Sequence, residues 1–234
     1  MTAKRRAVAL LLGAAVTMAG GCNILEQQEA WTPQEADAIS IASDGSVTEI
    51  VQETLDESYY DVAELESMIN AEVSEYNSEN GEDSVRIESF SSEGTAVTLE
   101  LRYASPEDYA EFNNTEFYCG TIINAQLEGY LFDADFYRIK DGAISGGTVD
   151  TGTVFEDMSA QAVIVQASLE VHLEEGEVTF ISSNAEMISS DTVNANGEQE
   201  EEEVLVLPSS AVYGEKETTY EEQKAANRVY ILYE

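Results

Sequence analysis

The chain of 234 residues carries 47 acids, 10 bases, one His and two Cys, for a formal net charge of −37. Three of the bases, Lys4, Arg5 and Arg6, precede every acid, so beyond residue 22 seven bases face all 47 acids and the net charge is −40. Such a body repels phosphate backbones and anionic headgroups, and no basic stripe with interleaved aromatics offsets that field, which excludes nucleic-acid binding.

Lys4-Arg5-Arg6 is followed by an apolar run from Ala7 to Met18 and then by Ala19-Gly20-Gly21-Cys22. The run is shorter than the roughly 20 residues of a spanning helix, so residues 1–21 read as a processing signal outside the fold. Small residues before a cysteine resemble the lipobox of bacterial lipoproteins. That resemblance implies a diacylglyceryl thioether on Cys22, with an acylated amine, and a stable membrane anchor on the outer face of the cytoplasmic membrane. Residues 22–37, rich in Gln, Glu and Ala, are expected to form a flexible tether. Residues 38–234 then form the globular part, either as one body or as halves of about 38–138 and 153–234.

Ile39 and Ile41, then Asp44-Gly45, then Val47 to Val51 predict a β-hairpin. Asp61-Val62-Ala63-Glu64 caps a helix whose apolar stripe is Val62, Leu65, Ile69, Val73 and Tyr76, with Asn80-Gly81 as its stop. Val85 and Ile87, with Val97, Leu99, Leu101 and Tyr103, predict a second hairpin around Ser91-Ser92-Glu93-Gly94. Ser105-Pro106-Glu107-Asp108 opens a short helix ending near Asn113-Asn114. A third helix is expected from Gly120 to Glu128, closed by Gly129, and a loop without regular structure from Lys140 to Gly152. Val163 to Leu173 alternates over eleven residues and reads as one strand, turned by Glu175-Gly176 to pair with Val178 and Phe180. Further strands are placed near Val193, over Val204 to Leu207 and over Val229 to Tyr233, with an acidic loop from Gly197 to Glu203. The sum is an α+β fold, with antiparallel hairpins carrying two or three short helices.

Several stretches resemble uncharacterised lipoproteins common in Gram-positive anaerobic gut bacteria. They are Asp44-Gly45-Ser46-Val47-Thr48-Glu49, Ser58-Tyr59-Tyr60-Asp61, Tyr76-Asn77 with Glu79-Asn80-Gly81, Tyr103 to Asn113, and Val229 to Tyr233. The resemblance covers the mature chain loosely and residues 44–130 best. It implies localisation and brings no activity, cofactor or catalytic residue.

Chemistry-bearing motifs are sparse. With Cys22 lipidated, Cys119 has no partner in the chain, and its neighbours Phe117, Tyr118, Ile122 and Ile123 predict a buried, unreactive thiol. His172 alternates away from Leu169, Val171 and Leu173 and is expected at the surface; a Cys119-His172 pair would require tertiary folding to join them. Neither G-x-S-x-G nor S-x-x-K occurs, one His excludes a two-His zinc site, and there is no CxxC. Asp133-Ala134-Asp135 starts like a calcium loop, but positions six and twelve are Arg138 and Ile144. No catalytic residue, cofactor or metal site is therefore expected, and divalent cations are expected to screen the surface nonspecifically.

Eight of the chain's aromatics fall between Tyr109 and Tyr137. Burial in the core is the first reading of them. Exposure would make Tyr109, Phe112, Tyr118, Tyr130 and Tyr137 candidates for a ligand platform. The expected function is that of a lipid-anchored, noncatalytic binding or interaction module. A solute or glycan receptor is the alternative, and an envelope hydrolase is third. Paired carboxylates in a cleft would mark the hydrolase, a deep polar pocket the receptor, and an exposed apolar patch the interaction module.

Overall fold

The computed structural model describes residues 31–55, 61–196 and 228–234, and the folded body runs from Pro33 to Glu234. Cys22, Ser58-Tyr59-Tyr60, the Gly197–Glu203 run and the Val204–Leu207 strand lie outside the described residues. The fold is α+β, two antiparallel-rich sheets with short helices.

The first hairpin forms as the alternation predicts, β1 (Asp37–Ile41) with β2 (Val47–Thr54), and Gly45 at φ 85° sits in its turn. Helix α1 (Val62–Asn80) is capped by Asp61, whose Oδ1 accepts from the backbone of Ala63 at 2.9 Å and Glu64 at 3.3 Å. The residues of its predicted stripe are sheltered from solvent, as is Asn77, and Val73 is buried. The second hairpin is β3 (Val85–Glu93) with β4 (Ala96–Tyr103), and α2 (Pro106–Phe112) follows behind the Ser105 cap.

Four expectations are corrected downstream. Gly120 and Thr121 belong to a strand, β5 (Phe117–Thr121), and the third helix is shorter, α3 (Ile122–Leu127), because the Thr121 side chain caps it. The supposed loop 140–152 holds the end of β6 (Phe136–Lys140), all of β7 (Ala143–Val149) and the start of α4 (Thr151–Val154). Asp141 and Gly142, both at positive φ, make the two-residue turn of that hairpin. β7 escapes pattern reading because it is an exposed edge strand with two glycines and no apolar alternation.

The third correction concerns Val163 to Leu173, which is two strands in different sheets: β8 (Gln161–Val165) and β9 (Ser168–Leu173). The alternation runs on through the break because odd-numbered residues on both strands face one shared layer. Fourth, Val178 and Phe180 lie in β10 (Val178–Ser182), which pairs with β6 and β13 (Val229–Tyr233) instead of β9. The short β11 (Ala185–Met187) and β12 (Thr192–Asn196) complete the set.

One sheet has the order β11-β12-β9-β1-β2-β4-β3, the other β5-β8-β13-β10-β6-β7. β1 pairs parallel with β9, and each sheet takes strands from both sides of Gly152, so the two halves considered above share both sheets. The central strands β8 and β13 of the second sheet are buried on both faces. Val163, Val165, Val229 and Ile231 face the first sheet, while Ala162, Ile164, Tyr230 and Leu232 face a second core with Ile122, Ala125, Phe132 and Val154. At roughly 25 cal/mol per Å2 of apolar area, burial on two faces stabilises β13 and β8 from both sides.

The outer face of the first sheet is not simply a solvated one. Glu170 is fully buried, and its Oε2 accepts from the backbone of Gln34 at 2.8 Å and Glu35 at 3.2 Å, so the last residues of the expected tether are docked. This also corrects His172, whose side chain is only 14% exposed beside Ser40 and Thr192.

Candidate binding surface

Among the described residues five large apolar side chains are exposed, and three of them lie within nine positions: Ile123 at 49%, Leu127 at 81% and Leu131 at 72%. Ile123 and Leu127 are four apart on α3 and therefore share one helical face, while Ile122 and Ala125 point into the second core. The first N–H groups of α3 are satisfied by Ala160 O at 3.0 Å and Met158 O at 3.2 Å. At the other end Gly129 adopts φ 100° and Tyr130 N donates back to Ala125 O at 3.0 Å, a Schellman closure. Leu131 thus leaves from the same end of the helix as Leu127.

Leu131 stands between two anchored aromatics. The Tyr130 ring lies 5.3 Å from Tyr118 and carries the Arg228 guanidinium 5.2 Å from its centroid. Phe132 is fully buried, 5.5 Å from Phe155 and 4.9 Å from Tyr230. Its φ is 52°, a left-handed conformation that costs a bulky residue on the order of 1–3 kcal/mol. The Thr151 hydroxyl and Ala134 N–H, both donating to Phe132 O at 3.0 Å, help to hold it there. The surroundings over-determine this backbone, and the result is an apolar side chain held outward.

The electrostatic setting is acidic. Glu128, Asp133 and Asp135 are exposed around the turn, and the sequence contains no base between Arg102 and Arg138. Arg228 reaches the underside of Tyr130 but is neutralised by Glu116 at 2.7 Å. Burial pushes the Tyr118 and Tyr130 hydroxyls up to about 12, so both rings stay neutral at physiological pH.

The five aromatic candidates do not assemble one exposed platform. Tyr109 is buried against Tyr103 and Phe117, and Phe112 packs edge-on against Tyr76. Tyr137 packs on the inter-sheet core. Only Tyr118 and Tyr130 belong to the surface described here, as its supports. Sequence reasoning does not single out the exposed Ile123, Leu127 and Leu131; the signal for the first two is their place on α3 outside the stripe that Ile122 and Ala125 define, and Leu131 follows the closing turn.

His172 and the hydroxyl and carboxyl groups next to it are engaged in one hydrogen-bonded set. Ser189 Oγ donates to Asp191 Oδ1 at 2.5 Å and Thr192 Oγ1 to the same oxygen at 2.9 Å, while His172 Nδ1 meets Thr192 at 3.1 Å. The serine therefore bonds to the acid and not to the imidazole, the reverse of what an activated nucleophile requires. Burial depresses the His172 pKa despite Asp191, Glu174 and Glu170 nearby. Cys119 packs on the inter-sheet core while His172 lies on the outer face, so folding does not join them. No cluster of three or more His, Cys, Asp or Glu that would hold a metal occurs among the described residues.

Cys119 lines an open cleft of about 560 Å3 with Tyr233, Pro106, Glu107, Asp44 and Glu175. Its Sγ lies 3.6 Å from Tyr233 Oη, and burial pushes the thiol pKa up. Thiolate is the reactive form, so alkylation of the native protein at neutral pH is expected to be slow and to become fast on unfolding. Rapid native labelling by a bulky maleimide would show that the half-buried sulfur is open to chemistry.

No protein family model matches the sequence, and comparison with curated proteins and with solved structures returned no match.

Proposed function

We propose that the chain is a noncatalytic interaction module, anchored by lipid on Cys22 to the outer face of the bacterial cytoplasmic membrane, and that it engages a protein partner. The observation that carries this reading is the outward set Ile123, Leu127 and Leu131 on a rigid aromatic support. Exposed apolar side chains on a preformed scaffold are what a contact surface requires, since little ordering entropy remains to be lost on binding. The anchor rests on the basic start, short apolar run and small residues before Cys22.

The cleft of about 560 Å3 favours a second reading, a receptor for a small solute or glycan. A thermal-shift screen of the intact chain against peptides, glycans and metal ions separates the two, because a ligand selective for the native state raises its melting temperature. Peptide-dependent shifts that disappear in the Leu127→Asp, Leu131→Asp variant are expected. Shifts with glycans that survive in that variant would favour the receptor. In parallel Cys22→Ala should lose acyl labelling and membrane partitioning; retention of both would refute the anchor.

A further inference from the structure

The same surface also carries information about its partner. Apolar side chains alone are indifferent to charge, but Glu128, Asp133 and Asp135 are exposed in the same segment, and no base occurs from residue 103 to 137. The nearest bases along the chain are occupied. Arg102 Nη2 donates to Ser46 Oγ at 2.8 Å, and the Arg138 guanidinium lies 4.7 Å from the Phe180 ring centroid.

Three occupants can be compared on charge. A second copy would bring the same exposed acids, on a chain whose net charge beyond residue 22 is −40, against its own image. An anionic membrane surface is repelled for the same reason. A basic segment gains from both parts of the surface, because its apolar side chains cover Ile123, Leu127 and Leu131 while its Lys or Arg reach the acids at the rim. Ile123 and Leu127, four apart on α3, form a short ridge of the kind that fits a groove on a second helix.

Resting on the interaction-module reading above, we infer that the α3 surface binds a basic amphipathic helical segment of a protein partner, its apolar face on Ile123, Leu127 and Leu131 and its cations toward Glu128, Asp133 and Asp135. The site is preformed. The strained Phe132 and the Tyr118–Tyr130–Arg228 stack hold Leu131 outward before any partner arrives, which keeps the ordering cost of binding small. The acidic field of the whole body then accelerates encounter with a basic partner, an effect that falls as salt rises.

The test uses the full chain in zwitterionic nanodiscs and three labelled peptides read by fluorescence anisotropy, with empty discs as the blank. One peptide is an amphipathic helix of Leu and Lys, the second replaces its Lys with Glu, and the third keeps Lys but has Ser in place of Leu. The Leu/Lys helix should bind most tightly and weaken as salt is raised. Leu127→Asp with Leu131→Asp should weaken it by about tenfold or more while leaving the Ser/Lys peptide nearly unaffected, and Glu128→Lys with Asp133→Lys should shift preference toward the Leu/Glu helix. All four positions are exposed, and an unchanged melting temperature verifies that the variants fold.

Equal binding of the Leu/Lys and Leu/Glu helices, lost from both in the leucine variant, would overturn the basic partner and leave the interaction module standing. Leu/Lys binding untouched by the leucine variant would be diffuse charge attraction and would overturn both. No binding of the Leu/Lys helix, self-association abolished by the leucine variant, or insertion of the surface into the disc would each overturn the inference as well.

Discussion

Replacing Arg228 with alanine is expected to destabilise the fold by about 3 kcal/mol, the lower end of the range for removing one partner of a buried ion pair. Arg228 immediately precedes β13, which lies between β8 and β10 in the doubly buried sheet. Its Nη2 and Nε approach Glu116 Oε1 at 2.7 and 2.8 Å, with the two side chains only 16% and 14% exposed. Alanine would leave the Glu116 charge in that setting without the guanidinium and would remove the cation from the face of Tyr130. At 2–4 °C per kcal/mol for a chain of this size, the melting temperature should fall by roughly 6–12 °C. Arg228→Met combined with Glu116→Leu should recover most of the loss, since no charge then remains to be desolvated. A melting temperature unchanged in Arg228→Ala would mean that the pair is not a support of β13. The α3 surface should suffer along with stability, because Tyr130 loses one side of its stack and Leu131 its fixed direction.

How much of this was legible depended on whether a residue's local pattern and its tertiary role agreed. The stripe of α1, its Asp61 cap and the Ser105-Pro106 start of α2 are local devices, and each appears where spacing placed it. The Val163–Leu173 alternation reported the right faces but could not report that the chain changes sheets at Gln166 and Ala167, because period two survives such a crossing. β7 has the reverse problem. Its Asp141-Gly142 turn was readable, but an edge strand with nothing to bury leaves no alternation. His172 departs from expectation because alternation away from the apolar face does not mean solvent here: Glu170 on the same face is buried by the segment at Gln34 and Glu35. The α3 surface was hidden by its setting among aromatics. The conspicuous residues, Tyr118, Tyr130 and Phe132, are its supports, while the plain ones, Leu127 and Leu131, are exposed. Neither the Schellman closure beyond α3 nor the left-handed Phe132 that decides which side chain faces out follows from hydrophobic period.

Glu49 should make the protein lose stability as pH rises, opposite in sign to the usual contribution of a paired carboxylate. It sits on the inward face of β2, where its Oε2 accepts from Tyr103 Oη at 2.5 Å, and Asn113 Nδ2 donates to the same Tyr103 oxygen at 3.0 Å. Burial raises the Glu49 pKa; the bonds from Tyr103 and Asn113 oppose this, and the Asp37 charge adds to it. Tyr103 and Tyr109 stay protonated, because burial and the Glu49 carboxylate push both phenols far above their ordinary range. A raised folded pKa means that the native state holds a proton the unfolded chain has already released. The stabilisation is therefore complete below the unfolded value near 4.3 and is lost as pH rises through the folded value. Glu49→Gln removes this one titration, so the stability of the variant minus that of the wild type should climb across the window, with a slope of at most about 1.4 kcal/mol per pH unit. Taking the difference cancels the remaining 46 acids, whose titration would otherwise dominate the curve. The measurement is urea unfolding of both proteins from pH 4 upward at constant ionic strength. A flat difference would show that Glu49 titrates alike in both states, and a falling one would show that the bonds from Tyr103 and Asn113 outweigh burial and hold the carboxylate charged in the core.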